Sequence, residues 1–271
     1  MIDFTKIKIM GVLNTTPDSF SDGKKYINTK NAIKHSQHLL KNGADIIDIG
    51  GESSRPNADF VSENEELSRI IPAIKAIKNN AINTFISVDT YKPKVMEQVL
   101  NLGVNMINDI YALQQVEAEN MAEILSVSDC DICLMHMQNN PKNMQKSPKY
   151  KDILSEIKYF FECRIRYAED NNINTKRLIL DPGFGFGKTY DHNIIILKNL
   201  IEFQEFGLKI LVGLSKKSMF DTILKGRDPS GRVLASTIAA GIAIENGADI
   251  IRTHNPLEVS DMLKVMQSLK N

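Results

Sequence analysis

Gly43-Ala-Asp-Ile-Ile-Asp48 has two counterparts further along the chain, Gly103-Val-Asn-Met-Ile-Asn108 and Gly247-Ala-Asp-Ile-Ile-Arg252. Each copy follows a stretch of helical periodicity, and its glycine can take the left-handed conformation that ends a helix. An acidic or amide residue then opens a strand, two apolar residues fill it, and a polar residue closes it. Three such junctions spread along the sequence predict one αβ architecture repeated.

Outward from these junctions, strand-like runs alternate with helix-like stretches. The predicted strands are Ile7–Leu13, Asp45–Ile49, Thr84–Val88, Asn105–Asn108, Asp131–Met135, Arg177–Leu180, Lys209–Val212 and Asp249–Arg252. Several are apolar throughout, as in a parallel sheet buried on both faces. Helical periodicity marks Thr29–Lys41, Ser62–Asn79, Pro93–Leu102, Tyr150–Asn171 and Ser230–Glu245, among others. Eight strand–helix alternations predict an α/β fold, a (β/α)8 TIM barrel, and 271 residues suit one such domain spanning 1–271.

Composition excludes some function classes. Lys+Arg and Asp+Glu both number 33, so nothing in the balance points to nucleic acid or an anionic membrane. The longest apolar stretch, Val233–Ile244, falls short of the ~20 residues needed to span a bilayer, and no signal-peptide core opens the sequence, so the reading is cytoplasmic. Cys130 and Cys133 form a C-x-x-C without a second ligand pair. With Cys163 they suit free thiols better than a disulfide scaffold or a zinc site.

The runs end in Asn14, Asp48, Asp89, Asn108, His136, Asp181, Ser215 and Arg252. A polar residue could merely mark where a strand meets water. Carboxylates, amides and an arginine ending so many apolar runs instead predict an active site at the C-terminal mouth of the barrel. The loop Asn14–Gly23 offers oxygens around Pro17, and Asn14 could give its amide oxygen to magnesium, which takes few protein ligands beside substrate oxygens. Asp48–Pro56 pairs glycines with Arg55, a residue suited to a carboxylate or phosphate. In Leu180–Thr189 the glycine spacing satisfies neither a P-loop nor a dinucleotide fingerprint. What remains is Asp181, which could accept from an amino-pyrimidine edge, and a flexible loop with Phe184 and Phe186 as apolar walls. Gly213–Ser218 places Lys216 and Lys217 at the end of the seventh strand. Arg252 and His254, two apart on an extended chain, face the same way and suit an anion. The loop Met137–Lys149 should lie over the mouth.

In order, Met10–Gly23, Asp48–Pro56, Ser87–Thr90, Ile107–Ile110, Leu134–Gln138, Leu180–Lys188, Ser215–Ser218 and Arg252–Asn255 resemble the dihydropteroate synthases, a pterin-binding family. The resemblance covers the chain from about Ile7 onward. It implies condensation of 6-hydroxymethyl-7,8-dihydropterin diphosphate with p-aminobenzoate, releasing diphosphate. It further implies that Asn14 contacts Mg2+ on the diphosphate, and that Asp89, Asn108, Asp181 and Lys217 hold the pterin beside Phe186. Arg252 and His254 would bind the diphosphate, while Ser54, Arg55 and Ser218 would lie near p-aminobenzoate. Lys217, Asp89, Arg252 and His254 are the expected catalytic residues. A homodimer is implied too, and fusion or association with other folate-pathway enzymes stays open. The chain departs from the family pattern at Ser54, Tyr111-Ala112, Asn139 and Lys216. Two rival readings share the barrel: a pterin-binding methyltransferase domain acting on methyltetrahydrofolate, and a non-catalytic pterin-binding barrel. The Arg252/His254 pair and the complete set of strand-end groups favour the synthase.

Overall fold

The computed structural model describes residues 6–15, 25–55, 58–80, 84–115 and 117–269, the side chains of 25–29 excepted. Strands β1 (Lys8–Asn14), β2 (Ile46–Gly50), β3 (Phe85–Asp89), β4 (Met106–Asp109), β5 (Asp131–Met135), β6 (Leu178–Asp181), β7 (Lys209–Val212) and β8 (Ile250–Thr253) pair in chain order, all parallel, and β8 closes on β1. Around them run α1 (Lys25–Lys41), α2 (Glu63–Asn80), α3 (Pro93–Asn101), α4 (Ala118–Ser126), α5 (Ile153–Asp170), α6 (Tyr190–Lys198), the short α7 (Met219–Ile223), α8 (Val233–Glu245) and α9 (Pro256–Ser268). Every predicted strand is present to within a residue at either end.

Helix starts deviate more, for local reasons. Helix α5 begins at Ile153, three residues late, because Asp152 is its cap: the carboxylate accepts from Leu154 N and Ser155 N. Helix α8 begins at Val233, because Pro229–Arg232 forms a tighter 3-10 turn first. Helix α1 begins at Lys25, earlier than periodicity suggested.

Alternation along each strand divides the core in two. Met10, Ile46, Met106, Cys133, Ile179, Leu211 and Ile250 point inward and fill the barrel. Their neighbours point outward and pack under the helices, where Phe161 meets Phe203 edge-on at 5.7 Å. Each such buried side chain stabilises the fold by about 1.5–3 kcal/mol. Cys130 and Cys133 are three apart, so one faces the helices and the other the barrel interior; both are free thiols and burial raises both above the usual thiol range.

The same parity decides which strand-end groups enter the mouth. The register aligns Met10 with Arg252, Gly50 with Asp89, Asp89 with Asn108 and Met135 with Asp181. Asn14, Asp48, Asp89, Asn108, Asp181 and Arg252 therefore share the inward face. His136, taken from the sequence as a strand-end group, follows inward Met135 and so turns out of the barrel. It packs edge-on against Phe160, ring centroids 4.9 Å apart.

Candidate active site

Arg252 organises one side of the mouth. Its Nε donates to Asp48 Oδ2 at 2.7 Å and Nη2 to Asp89 Oδ2 at 3.1 Å. Asp48 is fully buried, and its other oxygen accepts from Ser87 Oγ at 2.7 Å. Two carboxylates hold the guanidinium fork in place, while its Nη1 has no acceptor among the described residues and stays available to a ligand. Both carboxylates hold the Arg252 pKa above its ordinary value, against the effect of burial.

Asp89 is the less protected partner. Burial, together with Asp48, Glu66 and Asp109 and against the pull of Arg252, pushes its pKa up to about 7. An ordinary aspartate titrates near ~3.9, so the folded form holds its proton longer. The linkage sign follows: the stability this group contributes is present below ~3.9 and is lost as pH rises through about 7. A free-enzyme group titrating near 7 should therefore appear in the pH profile for a ligand that needs Asp89 as an acceptor. The expected result is a fall in kcat/KM below that pH, and its absence from Asp89→Asn.

Across the mouth, Asp181 ends β6. Its Oδ1 accepts from Gly183 N at 2.7 Å, and burial raises its pKa against the pull of that bond and of Lys217. Lys217 stands with its Nζ 4.1 Å from the Phe186 ring centroid. Burial and Arg252 lower its pKa to about 8, opposed by Asp181 and Asp89. Asn108 is buried between the two sides, on β4.

The glycine-rich loop after Asp181 is pinned, where its composition had suggested flexibility. Gly183 takes φ 68°, and a Cβ there would lie 2.0 Å from the His136 carbonyl oxygen, so only glycine fits. Asn193 Oδ1 accepts from Gly185 N at 2.8 Å and the Tyr150 hydroxyl donates to Gly187 O at 2.9 Å. The buried Lys188 Nζ donates to Phe186 O at 3.0 Å and His136 O at 3.2 Å, and lies 2.9 Å from His136 Nδ1. Phe186 is thereby held among Ile110, Met135 and Met144, the last supplied by the loop 137–149, which does cover this part of the mouth. Phe184 belongs to the outer core instead.

His254 is placed by Ser215, whose Oγ accepts from His254 N at 3.2 Å and meets Nδ1 at 2.9 Å. Burial, then Arg252, Lys216, Lys217 and Arg55, lowers its pKa to about 3. The positive potential at this edge therefore comes from those four cations, and the imidazole is neutral at ordinary pH. Lys216 adopts φ 58° and its backbone N donates to Ser236 Oγ at 2.9 Å.

Arg55 and Ser218 are exposed, and Ser54 lines a cavity of about 660 Å³ that also touches Asp89, Tyr91, Tyr111 and Lys142. Most of the loop Asn14–Gly23 and Pro56 fall outside the described residues. Asn14 itself ends β1, with its Oδ1 beside Gly50 of β2, where even a Cβ would be only in ordinary contact at 3.6 Å. The second glycine of the pair serves packing: a Cβ on Gly51 would meet Ile70 and Glu66 of α2 at 2.8 and 2.9 Å. Among the described residues no cluster of three His, Cys, Asp or Glu side chains could hold a metal. A lone amide oxygen facing the mouth fits a magnesium ion that arrives on substrate oxygens and keeps its waters.

A closed barrel with carboxylates, an amide and a lysine on its floor and a cationic edge beside them is the mouth of a small-molecule enzyme. The chain belongs to the pterin-binding enzyme family, whose model matches residues 10–254. The dihydropteroate synthase of Haemophilus influenzae is 43% identical over 270 residues, covering 100% of this chain and 96% of that protein. The Yersinia pestis dihydropteroate synthase, solved with a sulfonamide drug, superposes with a TM-score of 0.91 at 42% identity, covering 99% and 96% of the two chains. The Xanthomonas albilineans dihydropteroate synthase with 4-aminobenzoic acid gives a TM-score of 0.90 at 38% identity, covering 99% and 95%. Within the family, then, the chain stands among the dihydropteroate synthases.

Sequence reading had not given a role to Asp48, the buried partner of Arg252, nor to Ser215 and Lys188. Parity could have found the first: Asp48 and Arg252 close two of the three repeated junctions and both face inward.

Proposed function

We infer that this mouth joins 6-hydroxymethyl-7,8-dihydropterin diphosphate to p-aminobenzoate, giving 7,8-dihydropteroate and diphosphate. The observation that carries the reading is the inward ring of Asp89, Asn108 and Asp181 with Lys217, set beside the cationic edge of Arg252. Asp181 accepts from the amino-pyrimidine edge, Asn108 and Asp89 complete that recognition, and Lys217 donates to the ring carbonyl or nitrogen. Phe186 supplies an apolar wall. Arg252 Nη1 and the neutral imidazole of His254 donate to the diphosphate. The Xanthomonas albilineans structure holds 4-aminobenzoic acid, which supports the second substrate here. Ser54, Arg55 and Ser218 are assigned to its side of the mouth.

The carbon–oxygen bond to diphosphate breaks as the aromatic amine forms the new carbon–nitrogen bond, and the amine then loses a proton. Cationic groups at the edge stabilise the departing charge, and the floor positions the pterin methylene for attack. Asn14, together with substrate oxygens, would hold a magnesium ion, which would supply further neutralisation of the leaving group. The test is diphosphate release from the pterin substrate. Release requiring both p-aminobenzoate and magnesium is expected; tight pterin binding without release would point to a binding barrel.

We further propose a homodimer through α8, in a cytoplasmic protein; no helix among the described residues is long and apolar enough to cross a membrane. Helix α8 turns Ser236, Ala239, Ala240 and Ala243 to the barrel and its larger Leu234, Ile238 and Ile242 outward, the reverse of a solvated helix. Ile238 is 56% exposed. Ile238→Glu should halve the mass measured by analytical ultracentrifugation, and an unchanged mass would sink the α8 interface.

A further inference from the structure

Lys92 lies three residues beyond Asp89, ahead of α3, and is 4% exposed. Its ammonium donates to Glu66 Oε2 at 2.5 Å, to Val61 O at 2.6 Å and to Glu52 Oε2. An ammonium has three donors, so all are used. Glu52 lies just after β2, Val61 just before α2, and Glu66 in the first turn of α2. One buried cation thus holds both ends of the connection that carries Ser54 and Arg55. Phe60 packs over Nζ at 4.9 Å, and the Tyr91 hydroxyl donates to Glu52 Oε1 at 3.1 Å, closing the same end.

The charges do not balance. Two carboxylates share one ammonium, Glu66 is 1% exposed, and burial raises its pKa against the pull of Lys92. A buried cluster with surplus negative charge is an inefficient source of stability. Its geometry instead fixes where a loop begins and ends. We propose that Lys92 is a positioning residue for the amine-acceptor side of the reaction: by tying Glu52, Val61 and Glu66 together it sets the place of Ser54 and Arg55. The pterin floor is set independently, by the strand pairing that aligns Asp89 with Gly50 and Asn108. The proposal rests on the synthase reading above.

Glu52→Ala separates positioning from folding, because it leaves Lys92 and Glu66 as a balanced pair. The expected variant still folds, melting somewhat lower than wild type because Lys92 and Tyr91 each lose the acceptor that Glu52 gave them. Its KM for p-aminobenzoate rises roughly 10-fold, and its KM for the pterin diphosphate stays within about 2-fold. Lys92→Met should act in the same direction, with Lys92→Arg recovering part of the loss. If Lys92→Met does not fold, Glu52→Ala decides. An unchanged KM for p-aminobenzoate in Glu52→Ala, or equal rises for both substrates, overturns the proposal. Wild-type enzyme measured alongside keeps the two ideas apart: if it releases no diphosphate on adding p-aminobenzoate, the synthase reading itself has failed.

Discussion

Arg252→Met is expected to cost about 3–5 kcal/mol of folding stability, the range for removing one partner of a buried ion pair. Asp48 is 0% exposed, and the guanidinium fork is its cationic partner. Without it, Asp48 either stays charged in the barrel or takes up a proton, and each option disfavours the folded state. Asp89 loses its cation too, so its carboxyl moves further above the range in which it could accept from a ligand. Urea denaturation reads the stability loss. The double variant Asp48→Val/Arg252→Met should recover much of it, because paired apolar groups leave no uncompensated charge, but should recover no diphosphate release. If Arg252→Met unfolds at the wild-type urea midpoint, Asp48 does not depend on this arginine and the account of the mouth is wrong.

Lys217→Ala is expected to lower kcat/KM for the pterin diphosphate by about 10²–10³, the effect of deleting one preorganised charged donor. Stability should change little, since Lys217 is only partly buried and rests on the face of Phe186. Its pKa, lowered to about 8, adds a sign to the test. The wild-type rate should fall as pH rises through that value and the amine loses its proton, and the variant should lack this limb. With the Asp89 limb near 7, activity peaks in a narrow window whose two sides belong to two named residues. A variant that keeps the alkaline limb would remove Lys217 from the mechanism.

The barrel was legible because each strand is short and largely apolar and three of them follow the same glycine junction, signals that act locally. Most of the mouth was legible for the same reason: Asp89, Asn108, Asp181 and Arg252 each close such a run. Less visible was which strand-end group turns inward. His136 and Met135 differ by one residue, and only the register, set between strands, assigns the inward place to Met135. The departures from the family pattern also needed backbone angles. Asn139 adopts φ 65° and Ala112 and Leu113 adopt φ 50° and 58°. Asparagine tolerates that region. Asp109, accepting from Tyr111 N at 2.8 Å and Leu113 N at 2.7 Å, supports the other two. Lys92 and Lys188 could not be found from sequence, because a surface lysine and a buried one read alike until their acceptors are known.

The bond between Arg252 and Asp48 joins positions 204 residues apart. During synthesis, β2 is made early and its carboxylate has no cation until the last strand leaves the ribosome. A growing chain that lacks β8 therefore has an open sheet edge, an inward acid without its arginine, and an anion edge that lacks Arg252 and His254. Barrel closure and assembly of the mouth become one late event, governed by a contact of very high sequence separation. Catalytic competence on this scaffold is thus acquired when β8 docks between β7 and β1.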